Sequence, residues 1–343
     1  MKKFSRIFLI LTVVLLLSWQ IPQWYSFFAA QPAKTPFTLY SCICGDFIGI
    51  VPNGDRGVVR RDRAGHVYTQ EQADSLLPFF NMRQLVADNR FPDSICGVAV
   101  TPHDVQRTSF SFRSSPSDIN APSTGLYPLL ESLSGRVDLT MPDDVFRITC
   151  SGIEFVTTAD NSTDRQKSRR FTEAMEKKGF RFPASRIAGN PTTRKEYDNG
   201  YLMLDADGRL FHIRQNAGRP YVRAIELPQG VRIRHPFLTE FRDRRILGLL
   251  SADDGSLLVL RDTYEILPTA LPAIDPERDG FSIFGNMLDW TVCVKSDRSD
   301  AYYALRADDY SMIDSVVYAV DRRPAPGLRF TSPNDKFVRP RVF

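Results

Sequence analysis

A repeated pattern of apolar runs and tight turns constrains the fold of this chain more than any other feature. Within Gly200–Leu227, three apolar runs of strand length are separated by a turn at Asp207-Gly208 and by a break that contains Gly218 and Pro220. An Asp-Gly pair between apolar runs predicts a β-hairpin, because the turn needs a positive φ that glycine adopts without strain. This stretch is therefore predicted to form three antiparallel strands.

The same unit occurs twice more, which indicates a repeated structure. Ile213, Leu260 and Leu305 occupy equivalent places in the three copies and are 47 and 45 residues apart. A period of this length with three or four strands per unit is typical of β-propeller blades. We therefore predict a mainly β fold of propeller-like antiparallel blades with a few helices, and we expect the blades to be clearest over residues 200–320.

The turns between these runs are predicted from polar residues. The second copy turns at Asp254-Gly255, and the third at the polar segment Asp297–Asp300. Val145–Thr157 shows the same hairpin pattern and is predicted to belong to a further blade.

Helical segments are predicted before the repeats. Asp164–Lys178 has an apolar stripe with i, i+3, i+4 spacing, which predicts an amphipathic helix. Gln70–Leu77 and Phe79–Asp88 are expected to be helical, with a break at Pro78. Thr101–Pro128 is expected to be a long ordered loop around one short strand.

The N-terminal segment predicts a membrane anchor. Ile7–Ala30 contains no charged residue, and a helix of this length, rising roughly 1.5 Å per residue, covers the hydrocarbon core of a bilayer. Lys2, Lys3 and Arg6 precede it, so the positive-inside rule places the N-terminus in the cytoplasm and everything after about residue 30 on the outer side of the cytoplasmic membrane. A cleaved signal peptide is the alternative; an uncleaved anchor is favoured because Phe28 occupies the −3 position of the best cleavage site.

These patterns divide the chain into four parts. Residues 1–30 are predicted to be the anchor, 31–46 a linker, 47–321 a β-rich exported domain and 322–343 a basic, Pro-rich tail. The net charge is +4, of which residues 2–6 contribute +3 and the tail +5, so the rest of the chain is acidic. Since the body has no bulk positive charge, nucleic-acid binding is not expected.

The five cysteines leave the redox state open. An odd number leaves at least one thiol unpaired, while one or two disulfides can form in an oxidising compartment. Cys96–Cys150 is one possible pair, and the sequence does not assign the pairing. The spacing matches no structural metal site. The five positions are Cys42, Cys44, Cys96, Cys150 and Cys293.

No catalytic, cofactor-binding or metal-binding residue is predicted. The four histidines lie in separate segments, and His212 alternates with apolar neighbours as a strand residue with ordinary hydrogen bonds does. The adjacent aspartates at Asp143-Asp144 and Asp253-Asp254 are expected to serve turn geometry. Known nucleophile, metalloprotease and phosphate-loop motifs are absent from the sequence.

Three long runs resemble a known family. They are TQEQADSLLPFFNMRQLVADNRFPDSICG, SFRSSPSDINAPSTGLYPLLESLSGRVDLTMPDDVFRI and GNPTTRKEYDNGYLMLDADGRLFHI. They are similar to a group of bacterial membrane-anchored envelope proteins classed as a domain of unknown function. The resemblance implies an N-terminal anchor, a β-rich exported body and, in some members, neighbouring genes for an ABC transporter. It carries no established activity or site residue to transfer.

Three short triplets resemble acceptor sites for bacterial O-glycosylation. Each has an aspartate, a serine and an aliphatic residue, with the serine at Ser75, Ser94 or Ser315. Modification is a hypothesis that depends on exposure of these serines.

The function expected from these features is non-catalytic. We predict a membrane-anchored binding or scaffold protein outside the cytoplasm, with a membrane protein such as an ABC-transporter permease as a possible partner. The alternative is an envelope enzyme, acting for example on glycans, with its active site at the propeller mouth. Two carboxylates roughly 5–10 Å apart in a cleft would favour the enzyme, whereas an apolar funnel would favour binding.

Overall fold

An N-terminal helix precedes a body built of antiparallel sheets. The computed structural model describes residues 2–28, 35–53, 57–133, 135, 138–320, 328–330 and 340–342. Helix α1 spans Lys2–Phe28, and its Lys2–Tyr25 part has a mean hydropathy of 2.0. This helix is long and apolar enough to cross a membrane, a criterion that an N-terminal signal sequence also meets.

The other helices are short except for α6. They are α2 (Gln70–Leu76), α3 (Met82–Ala87), α4 (Pro102–Thr108), α5 (Pro116–Asn120) and α6 (Arg165–Lys177).

The first six strands form one sheet and one small hairpin. The seventh strand pairs with a strand that comes much later in the chain. Sheet I contains β1 (Phe37–Ser41), β2 (Asp46–Pro52), β3 (Val58–Arg61) and β4 (Val67–Tyr68). The small hairpin is β5 (Ser94–Ile95) with β6 (Val98–Ala99), and the next strand is β7 (Phe110–Ser114).

Four further sheets and one strand pair follow among the described residues. Sheet II contains β8 (Asp144–Ile148), β9 (Ile153–Thr157) and β10 (Thr163–Asp164). Sheet III contains β11 (Arg186–Gly189), β12 (Tyr201–Leu204), β13 (Leu210–Asn216) and β14 (Arg219–Ile225). Sheet IV contains β15 (Ile233–Leu238), β16 (Ile246–Ala252), β17 (Leu257–Arg261) and β18 (Ile266–Pro268). Sheet V contains β19 (Gly280–Gly285), β20 (Asp289–Lys295), β21 (Ser299–Arg306) and β22 (Met312–Ala319), with β7 beside β19. The last pair is β23 (Leu328–Phe330) with β24 (Pro340–Val342).

Neighbouring sheets share hydrophobic cores, which sets their order. Alternate residues of a strand point to opposite faces, so on β12 Met203 packs toward sheet II while Leu202 packs toward sheet IV. One core joins sheets II and III with α6, and others join III to IV, IV to V, and V to I. The sheets therefore pack face to face in the order II, III, IV, V, I.

The predicted repeat corresponds to sheets III, IV and V. Ile213, Leu260 and Leu305 are each fully buried, on β13, β17 and β21 respectively. Burial on both faces explains why β16 is buried at all seven positions. The prediction of a mainly β fold with antiparallel sheets is confirmed, but the described residues form separate sheets and do not close into a propeller.

Several predicted boundaries differ from the structure. β1 lies inside the segment 31–46 that was expected to be a linker, and it pairs with β2 along its whole length. The predicted loop Thr101–Pro128 contains α4 and α5. Each of these helices begins with a hydroxyl N-cap, proline in the first turn and a reciprocal aspartate.

Asp300 was expected in a turn but lies in β21 and is fully buried. Its carboxylate accepts a hydrogen bond from the Thr35 hydroxyl, a contact between residues far apart in sequence. The predicted amphipathic helix is confirmed as α6, and Val145–Thr157 forms the β8–β9 hairpin of sheet II. Of the Pro-rich tail, most lies outside the described residues.

Candidate functional site

A pocket with an internal volume of about 90 Å³ lies where sheets I and V meet the segment after α2. Small-molecule sites are mostly apolar with a few polar groups. This pocket has that character, and we refer to it as the apolar pocket. Its main apolar lining residues are Leu39, Leu76, Leu77, Phe80, Phe110 and Phe284.

The segment after α2 forms one wall because the helix is made to stop there. Thr69 begins α2 with a capping box, and Pro78 follows its end and cannot continue it. The chain then crosses the pocket at Phe79 and Phe80, and the Phe80 ring is 52% exposed. An exposed ring of this size at a pocket mouth is available for an apolar ligand.

The opposite wall depends on close packing of sheet V around Phe110. Gly285 permits this, because a Cβ there would lie 2.3 Å from the Phe110 ring. Phe110 also stacks on Phe241, with the ring centroids 4.0 Å apart, and meets Trp290 edge-on. Sheet I is joined to sheet V by the Tyr40 amide of β1, which donates a 2.9 Å hydrogen bond to Thr291 Oγ1.

Asp289 is the buried carboxyl of the pocket. It begins β20, and its side chain is held by Asn286, whose amide nitrogen donates to Asp289 Oδ1 at 3.1 Å. The Cys42 side chain is a second polar neighbour of this carboxyl group. Burial raises the pKa of Asp289 to about 6, and Asn286 and Cys42 partly offset this effect. Asp289 can therefore change its protonation state near neutral pH.

The Ser109 hydroxyl is a further polar group at the pocket. Its oxygen is buried and has no hydrogen-bond partner among the described residues. A buried hydroxyl without a partner carries a desolvation penalty that a ligand with a polar group would relieve. Together, Ser109 and Asp289 provide hydrogen-bonding groups in a mainly apolar site.

A second, more polar cleft lies beside β7, β11 and β15. It contains His235, whose Nε2 is 3.1 Å from Glu277 Oε1, while Arg234 contacts the other oxygen of Glu277 at 2.7 Å. Burial, followed by the charge of Arg186, lowers the pKa of His235, although Glu277 opposes this. A neutral histidine beside a carboxylate is able to exchange a proton with a bound molecule.

A buried ion cluster connects sheets III and IV. Lys195 Nζ lies 2.6 Å from Asp198 Oδ1 and 2.7 Å from both oxygens of Glu240. The Asn199 amide and the Asn190 side chain also donate to Glu240. Burial raises the pKa of Glu240, and Lys195 partly offsets that effect. Because its members are mutually hydrogen-bonded, this cluster serves to fix the two sheets.

His212 has the ordinary strand environment that the sequence predicts. It lies on β13, with Nε2 at 2.6 Å from the Asn199 carbonyl oxygen and Nδ1 at 2.8 Å from the Tyr264 hydroxyl. Burial lowers its pKa to about 4, so the ring is neutral at physiological pH. His66 and His103 are exposed.

The aspartate pairs behave differently from each other. Asp254 accepts hydrogen bonds from the Ser256 amide and hydroxyl, which is the turn role expected for it. Asp144, in contrast, lies in β8, where it forms a 2.7 Å ion pair with Lys167 of α6. Among the described residues, no group of three or more His, Cys, Asp or Glu side chains is arranged to hold a metal ion.

All five cysteines are free thiols. Cys96 and Cys150, one possible pair considered from the sequence, are therefore not linked in this structure. The three candidate glycosylation serines, Ser75, Ser94 and Ser315, are all exposed.

The sequence did not single out Asp289 or Ser109. Asp289 precedes the predicted apolar run of β20 and has the pattern of a turn residue, because its burial comes from sheet I, which is distant in sequence. The only sequence signal for it is a lone acidic residue between apolar segments in Phe281–Val294.

The chain belongs to a family defined by a domain of unknown function, DUF4857, whose model matches residues 37–305. This confirms the family resemblance predicted from the sequence. The match begins at β1 and ends in β21, so it includes all residues that line the apolar pocket. No match was found among curated proteins.

Two solved structures are weakly similar to the chain. One is PorZ, a surface component of the type-IX secretion system of Porphyromonas gingivalis, with 11% identity, a TM-score of 0.27 and coverage of 85% of this chain. The chain spans only 28% of that protein. The other is the dihydro-heme d1 dehydrogenase NirN, with 9% identity, a TM-score of 0.26 and coverage of 82% of this chain and 69% of NirN.

Proposed function

We propose that this protein is a membrane-anchored binding protein that takes the apolar part of a small amphiphile into the apolar pocket. The observation that carries the proposal is a mainly apolar pocket with one buried carboxyl, Asp289, and one unpartnered hydroxyl, Ser109. The apolar walls would bury the chain of the ligand, and the two polar groups would bind its polar end.

Fluorescence quenching tests this binding directly. Trp290 packs against Phe110 in the pocket wall, and replacing Trp19 and Trp24 by phenylalanine leaves it as the only tryptophan of three. We expect a brominated fatty acid to quench Trp290 saturably in the full chain held in amphipol. The Phe80→Asp variant should weaken binding about tenfold, which corresponds to roughly 1.4 kcal/mol.

Leu133→Asp is the matched control, since Leu133 is 64% exposed and does not line the pocket. It should leave the binding curve unchanged. Quenching that does not saturate, or that is equally affected by both variants, would contradict the proposal.

The sheets support a propeller-like arrangement as part of this proposal. Sheets II, III, IV, V and I succeed one another as blades do, each packing its faces against its neighbours. We propose an open, propeller-like body with the apolar pocket between its last two blades.

The membrane location is also a proposal, supported by α1 and by the basic residues before its apolar part. We propose an uncleaved anchor in the bacterial inner membrane, with the body outside the cytoplasm. A reporter that is active only in the cytoplasm, fused to the C-terminus, should remain silent, and strong reporter activity would overturn this topology.

An accessory role beside a transporter permease would require α1 to contact other membrane helices. The Thr12 and Ser18 hydroxyls donate to carbonyl oxygens within α1, at 2.9 Å each, so they do not require a partner. Replacing Ile7–Gln23 by an unrelated span should therefore reduce co-purification of a permease only if apolar packing makes the contact. Unchanged co-purification would show that α1 is only a tether.

An envelope enzyme acting on glycans is the second candidate function. It is favoured by the His235–Glu277 pair in the polar cleft, where proton transfer to a bound sugar is chemically feasible. Purified cell-wall glycan is the substrate to use. Hydrolysis that is lost in both His235→Gln and Glu277→Gln would support this function, and an absence of turnover by the wild-type protein would count against it.

A further inference from the structure

Two arginine side chains share one face of the β13–β14 hairpin in sheet III. Arg214 of β13 lies directly opposite Tyr221 of β14, and two positions away along each strand His212 lies opposite Arg223. Residues two apart on a strand, and residues paired across strands, point to the same side, so all four side chains lie on one face of the sheet. This face packs toward sheet IV, because Leu202, the other strand partner of His212, belongs to the core between these sheets.

A chain of hydrogen bonds fixes two tyrosine rings on this face. Nε2 of the neutral His212 ring is 2.6 Å from the Asn199 carbonyl oxygen, which can only accept, so the ring hydrogen is on Nε2. Nδ1 therefore accepts a 2.8 Å hydrogen bond from the hydroxyl of Tyr264, which lies in the turn between β17 and β18 of sheet IV. The Tyr264 oxygen accepts in turn from the Tyr221 hydroxyl at 3.0 Å. Both hydroxyl hydrogens are thus engaged within the protein.

Each of these rings carries one guanidinium group. The guanidinium carbon of Arg214 lies 4.4 Å from the Tyr221 ring centroid, and that of Arg223 lies 4.0 Å from the Tyr264 ring centroid. The stacking attracts each cation to its ring. Because the two tyrosine hydroxyls are in contact, it also brings two positive charges close together, and their mutual repulsion would be relieved by an anion bound to both.

No acidic side chain neutralises this pair. Among the described residues, neither Arg214 nor Arg223 forms an ion pair or a side-chain hydrogen bond. Glu265, which follows Tyr264, is paired with Arg261 at 3.5 Å instead. Arg214 Nε is buried without a hydrogen-bond partner, so this guanidinium can be compensated only through its outer nitrogens. Arg223 is exposed, so a molecule from outside can reach the pair.

We propose that Arg214 and Arg223 bind a phosphate group, at a second ligand site between sheets III and IV. A guanidinium presents planar N–H donors that match the oxygens of a phosphate. A phosphate monoester carries a charge of about −1.5 to −2 near neutral pH, which balances two arginines. The tyrosines position the guanidinium groups and do not donate to the ligand. None of these residues lines the apolar pocket, so the site is independent of the proposed amphiphile binding.

Protection from arginine modification tests the site residue by residue. The full chain in dodecyl maltoside micelles, which contain no phosphate, would be treated with phenylglyoxal, and the modified arginines mapped by mass spectrometry. Phenyl phosphate, a soluble phosphate monoester, should slow the modification of Arg214 and Arg223 saturably. Arg244 is the matched control for stacking alone, since its guanidinium carbon lies 4.4 Å from the Tyr197 ring centroid. Its modification should not change.

Variants test whether both arginines contribute. Arg214→Gln and Arg223→Gln should each raise the phenyl phosphate concentration for half-maximal protection of the remaining arginine about tenfold, as expected for the loss of a charge-assisted hydrogen bond. Arg223→Lys keeps the charge but not the planar fork and should recover part of this loss. Arg244→Gln should have no effect. Protection that extends equally to Arg244, or that is unchanged in both glutamine variants of the pair, would overturn the proposal.

A lipid headgroup and a soluble compound can both supply the phosphate, and a second titration distinguishes them. Phosphatidic acid added to the micelles presents the same phosphate monoester on a lipid. Protection by phosphatidic acid at lower concentrations than phenyl phosphate would identify a lipid headgroup, and the reverse order would identify a soluble phosphate compound. Absence of protection by both would overturn the site. Phe80→Asp should leave protection by phenyl phosphate unchanged, so failure of the apolar pocket to bind its ligand would not affect this result.

Discussion

Asp289 is the residue whose protonation most directly connects stability with the pocket. Its folded-state pKa of about 6 lies above the ordinary aspartate value of 3.8, so the folded protein holds this proton more tightly than the unfolded chain does. The group therefore stabilises the fold when it is protonated. That contribution is present below pH about 4 and is lost as the pH rises toward 6.

We expect Asp289→Asn to be more stable than the wild type at pH 7.5 and nearly equal to it at pH 4. We expect the gain in the free energy of unfolding at pH 7.5 to be about 3 kcal/mol. This value follows from the rise in pKa from 3.8 to about 6, since one pKa unit is about 1.4 kcal/mol. Urea unfolding at both pH values measures this difference. Asp254→Asn is the control, because hydrogen bonds from Ser256 lower the pKa of that exposed carboxyl and no gain at pH 7.5 is expected.

An Asp289→Asn variant that gains no stability at pH 7.5 would show that the carboxyl is better solvated than its burial indicates. It would also remove the argument that Asp289 changes protonation near neutral pH.

At the scale of elements, two turns of the repeated unit allow the cost of backbone strain to be distinguished from the cost of a steric clash. Gly208 and Gly255 both have a positive φ, at 79° and 84°. A Cβ at Gly208 would meet open space, but one at Gly255 would lie 2.9 Å from the Ala273 Cβ. The sequence predicted a tight turn at each of them, and the structure ranks the cost of replacing the two glycines.

We expect Gly208→Val to lower the free energy of unfolding by about 1–2 kcal/mol, the cost of a left-handed residue with a Cβ. Gly255→Val should lose a further 1–3 kcal/mol, because the side chain also overpacks the contact with Ala273. Denaturant unfolding followed by circular dichroism measures both. Equal losses would contradict the steric part of the account, and no loss in either would contradict the turn geometry.

The secondary-structure elements differ in whether they could be predicted from the sequence. The hairpins and α6 are local, and their turn residues and apolar spacing are visible within a short window, so they were predicted. β1 was missed because Phe37–Ser41 is short. Its strand conformation depends on pairing with β2 along its whole length. α4 and α5 were missed because each is short and lies in a stretch rich in proline and serine that is typical of a loop, although Thr101 and Ser115 mark their N-termini.

The apolar pocket could not be predicted for a related reason. It forms only when sheet I packs against sheet V, as in the hydrogen bond between the Tyr40 amide and Thr291, which are 251 residues apart. No spacing along the chain reports such a contact. The same is true of β7, which joins β19 from a segment far away in sequence.

At the scale of the whole molecule, shared cores between consecutive sheets should make the body unfold cooperatively. Leu260 is fully buried in the core between sheets III and IV. We expect Leu260→Ala to cost about 2–5 kcal/mol and to reduce amide-exchange protection in sheets III, IV and V together. Val317→Ala, at an exposed position of β22, should leave exchange unchanged.

Loss of protection confined to sheet IV would indicate that the sheets are independently stable. It would contradict an arrangement in which each sheet depends on the faces of its neighbours.

The central claim is that the apolar pocket binds the apolar part of an amphiphile, and photochemical labelling tests it most directly. The full chain in lipid nanodiscs would be labelled with a diazirine-bearing fatty acid, and the labelled peptides mapped by mass spectrometry. Our account predicts labelling of the Leu76–Phe80 segment that excess unlabelled fatty acid competes away and that Phe80→Asp reduces. Labelling confined to α1, with none in the Leu76–Phe80 segment, would contradict it.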